Sequence, residues 1–125
     1  MTWDAVDDPI FDAAIERAIG RLPPPYIERL GSVAIVIDEE PSAEQLASVG
    51  ARGLFGLYQG VPRTSLGADA TPIPSKITIF RGPLRRAHPD PAMLEDAVEE
   101  TVLHEIAHHF GLSDARLIEL RRRDG

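Results

Sequence analysis

An α+β domain is the fold class this sequence predicts, and three observations predict it. Apolar residues recur at helical spacing near the start of the chain, in Ile10, Phe11, Ala14, Ile15, Ala18 and Ile19. They recur again near the end, in Leu94, Val98, Val102, Ile106 and Phe110. Between these stripes lie two runs of strand character, residues 32–37 (SVAIVI) and 76–81 (KITIFR). At 125 residues the chain is sized for a single domain, 1–125, with a real but modest core.

Taken in order, Asp7-Asp8-Pro9 reads as a helix start, with acidic residues at the positive end of the dipole and proline in the first turn. The helix runs until Gly20 and Pro23-Pro24-Pro25 stop it. Residues 26–30 add a short turn before the β-branched strand 32–37, which Asp38-Glu39-Glu40 ends in solvent. Residues 41–49 suit a short helix capped by Ser42, with Glu44 and Gln45 in its first turn. Residues 53–62 (GLFGLYQGVP) have strand character, but their three glycines point to a bulge or a close backbone approach. Residues 61–75 read as a long loop, either a flap or a connector. The run 76–81 alternates polar and apolar, as a half-buried strand does, and Gly82-Pro83 ends it. Asp90 then caps a helix with Pro91 in its first turn, spanning about residues 91–110. A last helix is expected over residues 115–123, its Arg121-Arg122-Arg123 run a solvated end.

Composition excludes several function classes. A net charge of −7 argues against a nucleic-acid partner held by phosphate neutralisation. The absence of cysteine rules out disulfides and thiolate ligands, so a metal here would have to be held by imidazole and carboxylate, a donor set that suits zinc. No apolar run approaches the length of a membrane span, and residues 1–8 have no signal-peptide pattern. A cytoplasmic protein is expected.

The chemistry concentrates in residues 104–114, H-E-x-x-H followed by x-x-G-x-x-D. Residues four apart on a helix lie about 40° apart around the axis, so His104 and His108 can aim both imidazoles at one ion. Glu105 lies about 100° round from His104, aside from the ligands yet within reach of a water on the ion, where a general base is needed. Gly111 comes where a left-handed residue ends the helix and turns the chain back, so that Asp114 returns as a third, oxygen ligand. Glu119 is the competing third ligand. The second half of this helix carries little that is polar beyond His104, Glu105, His108 and His109, and is expected to be buried. Two imidazoles and a carboxylate buried together are costly without partners, and a cation satisfies all three.

With GLYQGVP, KITIFRGP and TVLHEIAHHFGLSD together in so short a chain, the sequence resembles the minimal zincin-like metallopeptidase family of small bacterial proteins. The resemblance covers nearly the whole chain. It implies a zincin-like α+β fold, a small mixed sheet packed on the H-E-x-x-H helix, with an edge strand placed to receive an extended substrate. It also implies His104, His108 and Asp114 as ligands of one zinc ion and Glu105 as the base. The methionine turn of the larger metzincins has no counterpart, since Met1 and Met93 both precede the motif.

The reaction these parts suit is amide hydrolysis of a peptide or protein substrate, with Glu105 taking a proton from the attacking water. The developing oxyanion needs a further donor, and Tyr58, Arg81, His88 and His109 have suitable chemistry. Two other classes compete: a metal-dependent hydrolase of a non-peptide substrate such as RNA, and a non-catalytic metal-binding domain.

Overall fold

The computed structural model of the protein describes residues 2–3, 8–31, 33–60, 75–113, 116 and 119. Helix α1 spans Pro9–Gly20, and its N-cap Asp8 accepts a long hydrogen bond of 3.5 Å from the Phe11 amide. Proline at the first position removes a donor that would have had no partner inside the helix. A short helix α2 (Pro24–Arg29) leads to strand β2 (Ala34–Asp38), paired on its outer side with strand β1 (Thr2–Trp3), which the sequence pattern did not reveal. Helix α3 (Ala43–Val49) opens on a reciprocal capping box, the Ser42 hydroxyl accepting from the Gln45 amide at 3.0 Å and the Gln45 side chain accepting from the Ser42 amide at 2.8 Å. Strands β3 (Gly56–Gln59) and β4 (Lys76–Phe80) follow, then helices α4 (Arg81–Ala87) and α5 (Pro91–His109). The expected loop over residues 61–75 and the arginine run 121–123 lie outside the described residues, except for Ser75.

The sheet is mixed, in the order β1-β2-β4-β3. Strands β1 and β2 run parallel, as do β2 and β4, whereas β3 runs antiparallel to β4. Together with the helices this is the expected α+β arrangement, a small mixed sheet packed on α5. One core joins the layers. Phe11, Ala14, Ile15 and Ala18 of α1, Ile35 of β2, Ile77 and Ile79 of β4, and Leu94, Val98, Val102, Leu103, Ile106 and Ala107 of α5 are all buried in it. No described helix is long and apolar enough to cross a membrane.

Two parts of the sequence reading need correction. The run 76–81 is not a half-buried strand. Ile77, Thr78, Ile79 and Phe80 are all buried, because β4 lies between two other strands and both of its faces are covered. Nor does Gly82-Pro83 merely end that strand, since α4 begins at Arg81 and includes both residues. Long-range contacts start this helix. The Gly82 amide donates to the Glu39 carbonyl at 2.8 Å, and a Cβ on Gly82 would run into the Glu40 carboxylate. Arg81 pairs with Glu39 at 2.5 Å and Arg86 with Glu40 at 2.6 Å, so the acidic turn after β2 acts as a clamp. Proline is tolerated in the first turn because its missing donor has no intrahelical acceptor there.

The α1–α5 contact also holds a buried carboxylate. Glu99 sits in it, bonded to the Arg17 side chain and 3.2 Å from Arg21, while Arg17 also reaches Asp96 at 2.8 Å. Asp8 is similarly buried and pairs with Arg85 at 2.5 Å. Both acids are matched by cations, as burial of a carboxylate requires.

Candidate metal centre

Helix α5 begins where the Asp90 carboxylate accepts from the amides of Ala92 (2.9 Å) and Met93 (3.1 Å), and Pro91 pre-sets its first turn. Its end is a Schellman motif. Gly111 adopts φ +67°, its amide donates to the His108 carbonyl at 3.1 Å, and the Leu112 amide donates to the Ala107 carbonyl at 2.8 Å. Leu112 then packs on the core, which is the apolar contact this motif commonly adds. The glycine exit expected after the second histidine is therefore present. Beyond it, the Ser113 hydroxyl accepts from the Arg116 amide at 3.1 Å, as an N-cap does.

One turn before that exit, α5 brings His104, Glu105 and His108 together. One ligand atom from each lies within 4.8 Å of the other two. The two imidazole centroids are 4.5 Å apart, and the Glu105 carboxylate stands 3.2 Å from His108 Nδ1. Glu105 is buried, whereas the His108 side chain is 49% exposed and His104 is intermediate. The second half of α5 is thus not buried all round, as the sequence suggested. It is buried on the core side and open on the side that carries the histidines.

That open side is one wall of a cleft of about 630 Å³. Its α5 wall is Ala97, Glu100, Thr101, His104, Glu105 and His108, a single stripe of the helix. The facing wall comes from Val49 at the end of α3, residues 53–55, and Gly56, Leu57 and Tyr58 of β3. Close approach of the two walls depends on Gly56. A Cβ there would lie 2.8 Å from Thr101 Cγ2 and 3.2 Å from Glu105 Cγ. Thr101 gives its hydroxyl to the Ala97 carbonyl at 2.8 Å and turns its methyl group to the strand. This is the close backbone approach that the glycine-rich stretch foretold, and its object is the helix beneath the candidate base.

The four candidate oxyanion donors separate. Tyr58 lines the cleft, with its hydroxyl 3.0 Å from Ser75 Oγ and 3.1 Å from His109 Nδ1. His109 is buried and stacks edge-on against Tyr58, behind the two cleft histidines rather than among them. His88 lines the cleft beside Phe55, their ring centroids 5.9 Å apart. Arg81 lies outside the cleft lining, engaged with Glu39 and Asp8. The contributions of Val49, Phe55, Ala97 and Glu100 to the cleft were missed in the sequence. For Ala97 and Glu100 the only signal was the spacing 97, 100, 101, 104, 105, 108, a second helical stripe beside the core-facing one; Val49 and Phe55 carried none.

His104 and His108, in the α5 wall of the cleft beside the buried Glu105 carboxylate, offer imidazole donors of the kind a divalent ion such as zinc takes. Asp114, the expected third ligand, lies outside the described residues. Glu119, its competitor, is exposed and paired with Arg116 at 3.2 Å. A protein-family model described as zincin-like metallopeptidase matches residues 30–123. No curated protein matches the chain.

Proposed function

Because the chain belongs to the zincin-like metallopeptidase family, we propose that it hydrolyses peptide bonds, with one zinc ion held by His104, His108 and Asp114 and with Glu105 as general base. The observation that carries this reading is the convergence of His104, Glu105 and His108 in the α5 wall of a cleft whose other wall includes β3. Strand β3 lies at the end of the sheet order and pairs only with β4 among the described residues, so an extended peptide can lie along its other edge.

When bound, the ion supplies Lewis acidity and brings the pKa of a coordinated water towards about 7. The protein's own groups do the rest. His104 and His108 offer imidazole nitrogens from successive turns of α5. Glu105 takes the proton of the attacking water at its carboxylate and returns it to the departing amine. Its burial against β3 limits the positions that carboxylate can take, which is what a proton carrier at a fixed reacting centre requires. The Tyr58 hydroxyl, held by Ser75 and His109, is one of two of the four candidate donors that line the cleft, with His88, and can serve developing negative charge there.

Glu105→Gln separates binding from chemistry. It should retain one zinc ion per chain by metal analysis and lose hydrolysis by about 10²–10⁴-fold, the usual contribution of a general base. A parent protein that cleaves no member of a peptide library, or a Glu105→Gln variant cleaving at the parental rate, would sink the proposal.

A further inference from the structure

Resting on the peptidase reading, we propose that the cleft carries an apolar side-chain subsite at the end away from the histidines. The subsite selects extended peptides with an aromatic or branched aliphatic residue about three positions from the cut bond, and with a basic residue between. The α5 stripe that lines the cleft changes character along its length. At one end stand His104, Glu105 and His108, at the other Ala97, with Glu100 between them. Gly56 meets Thr101 and Glu105, and the chain before it supplies Leu54 and Phe55, with Phe55 beside His88 just ahead of the start of α5, so these residues and Val49 line the cleft away from His108.

Exposure is the independent observation. Val49 and Phe55 are 49% and 42% exposed, and both line this cleft. An apolar side chain exposed alone needs no explanation, but two brought together in a concave site continuous with polar chemistry mark a binding surface. Distance sets the position. From Ala97 to His104 is seven residues of helix, about 10 Å at ~1.5 Å each. An extended peptide covers that in about three residues at ~3.3 Å each. Glu100 is exposed on the same stripe, so its carboxylate meets the substrate between the two ends and favours a cationic side chain there. The occupant this fits is an extended peptide lying on β3, because the apolar end is continuous with the hydrolytic end and not a separate patch.

Two labelled octapeptides test this without needing turnover. They differ only in having Phe or Ala three positions from the central bond, on both sides, with Lys at the next inward positions. Fluorescence anisotropy would measure their binding to the zinc-loaded Glu105→Gln protein. The Phe peptide should bind at least about tenfold more tightly, as burying a large apolar side chain allows. Phe55→Ala in the same background should erase that difference, and Val49→Ala should reduce it. Glu100→Gln should weaken both peptides while leaving the Phe preference intact. Circular dichroism confirms that each variant is folded, which the exposure of Phe55 and Val49 favours.

Equal binding of the Phe and Ala peptides overturns the subsite, whether or not the parent protein cleaves them. A Phe preference that survives Phe55→Ala also overturns it. So does a parent that sediments as a dimer, becomes monomeric on Phe55→Ala and shows no peptide preference, since the surface then belongs to a second copy. Failure of the parent to cleave any peptide, alongside a Phe preference that Phe55→Ala removes, would instead overturn the peptidase reading and leave the peptide-binding subsite standing.

Discussion

Gly56 shows how much of the candidate site rests on a single missing atom. Its backbone meets α5 so closely that a methyl group would overlap Thr101 and press on Glu105. Gly56→Ala should therefore cost about 1–3 kcal/mol, the usual range for overpacking a tight contact. Either Thr101 and Glu105 shift or β3 moves outward. Because the displaced neighbour is the candidate base, hydrolysis should fall further than the stability change alone explains. Urea denaturation and kcat/KM measured on the same preparation check this. Parental activity in a destabilised variant would show that the strand can shift without disturbing Glu105. Gly111 works differently: its φ of +67° is a backbone requirement of the Schellman turn, not a matter of space.

Among the elements, α4 illustrates a helix specified by distant partners. Its sequence opens with a glycine and a proline in the first turn, and Phe80, its N-cap, makes no side-chain capping bond. The helix is held by the acidic turn, through Arg81 with Glu39 and Arg86 with Glu40. Hydrogen bonding to Arg86 holds the Glu40 carboxyl below the usual glutamate range. A lowered folded value means that this pairing stabilises fully above the unfolded pKa of about 4.3, and that its contribution is lost as pH falls through the folded value. Arg86→Gln should therefore reduce stability near neutral pH and flatten its decline below about pH 4.3. Thermal melts of both proteins between pH 3 and 7 measure this. Parallel curves would show that the exposed pair adds nothing, which is common for surface ion pairs.

For the whole molecule, the proposed ligand set draws on α5 through His104 and His108 and on the chain after it through Asp114. A ligand that binds only the folded state stabilises by mass action, by about 2.7 kcal/mol at a concentration 100 times its Kd. Zinc should accordingly raise the melting temperature, and a chelator should reverse the rise. His104→Ala should abolish the shift and Asp114→Ala should diminish it, if both are ligands. An equal zinc shift in Asp114→Ala would remove that residue from the proposed ligand set. Under the proposed peptidase reading, the net charge of −7 and Glu100 in the cleft would favour cationic over anionic substrates.

Much of this was legible in the sequence, because it depends on local rules. The caps at Asp8, Ser42 and Asp90 act through amides two or three residues away, so neighbouring residues suffice to specify them. The spacing of His104, Glu105 and His108 is likewise a property of one helix, and the turn at Gly111 follows from a single residue's allowed conformations. What only the tertiary structure decided involves residues far apart in the chain. The burial of Thr78 depends on β4 being central, the start of α4 depends on Glu39 and Glu40, and Glu99 can be buried because Arg17 and Arg21 meet it from another helix. The cleft belongs to the same class. Val49 and Phe55 acquire a role beside Ala97 and Glu100 only when β3 docks on α5, because short-range periodicity records which residues share a helix face but not which strand comes to face them.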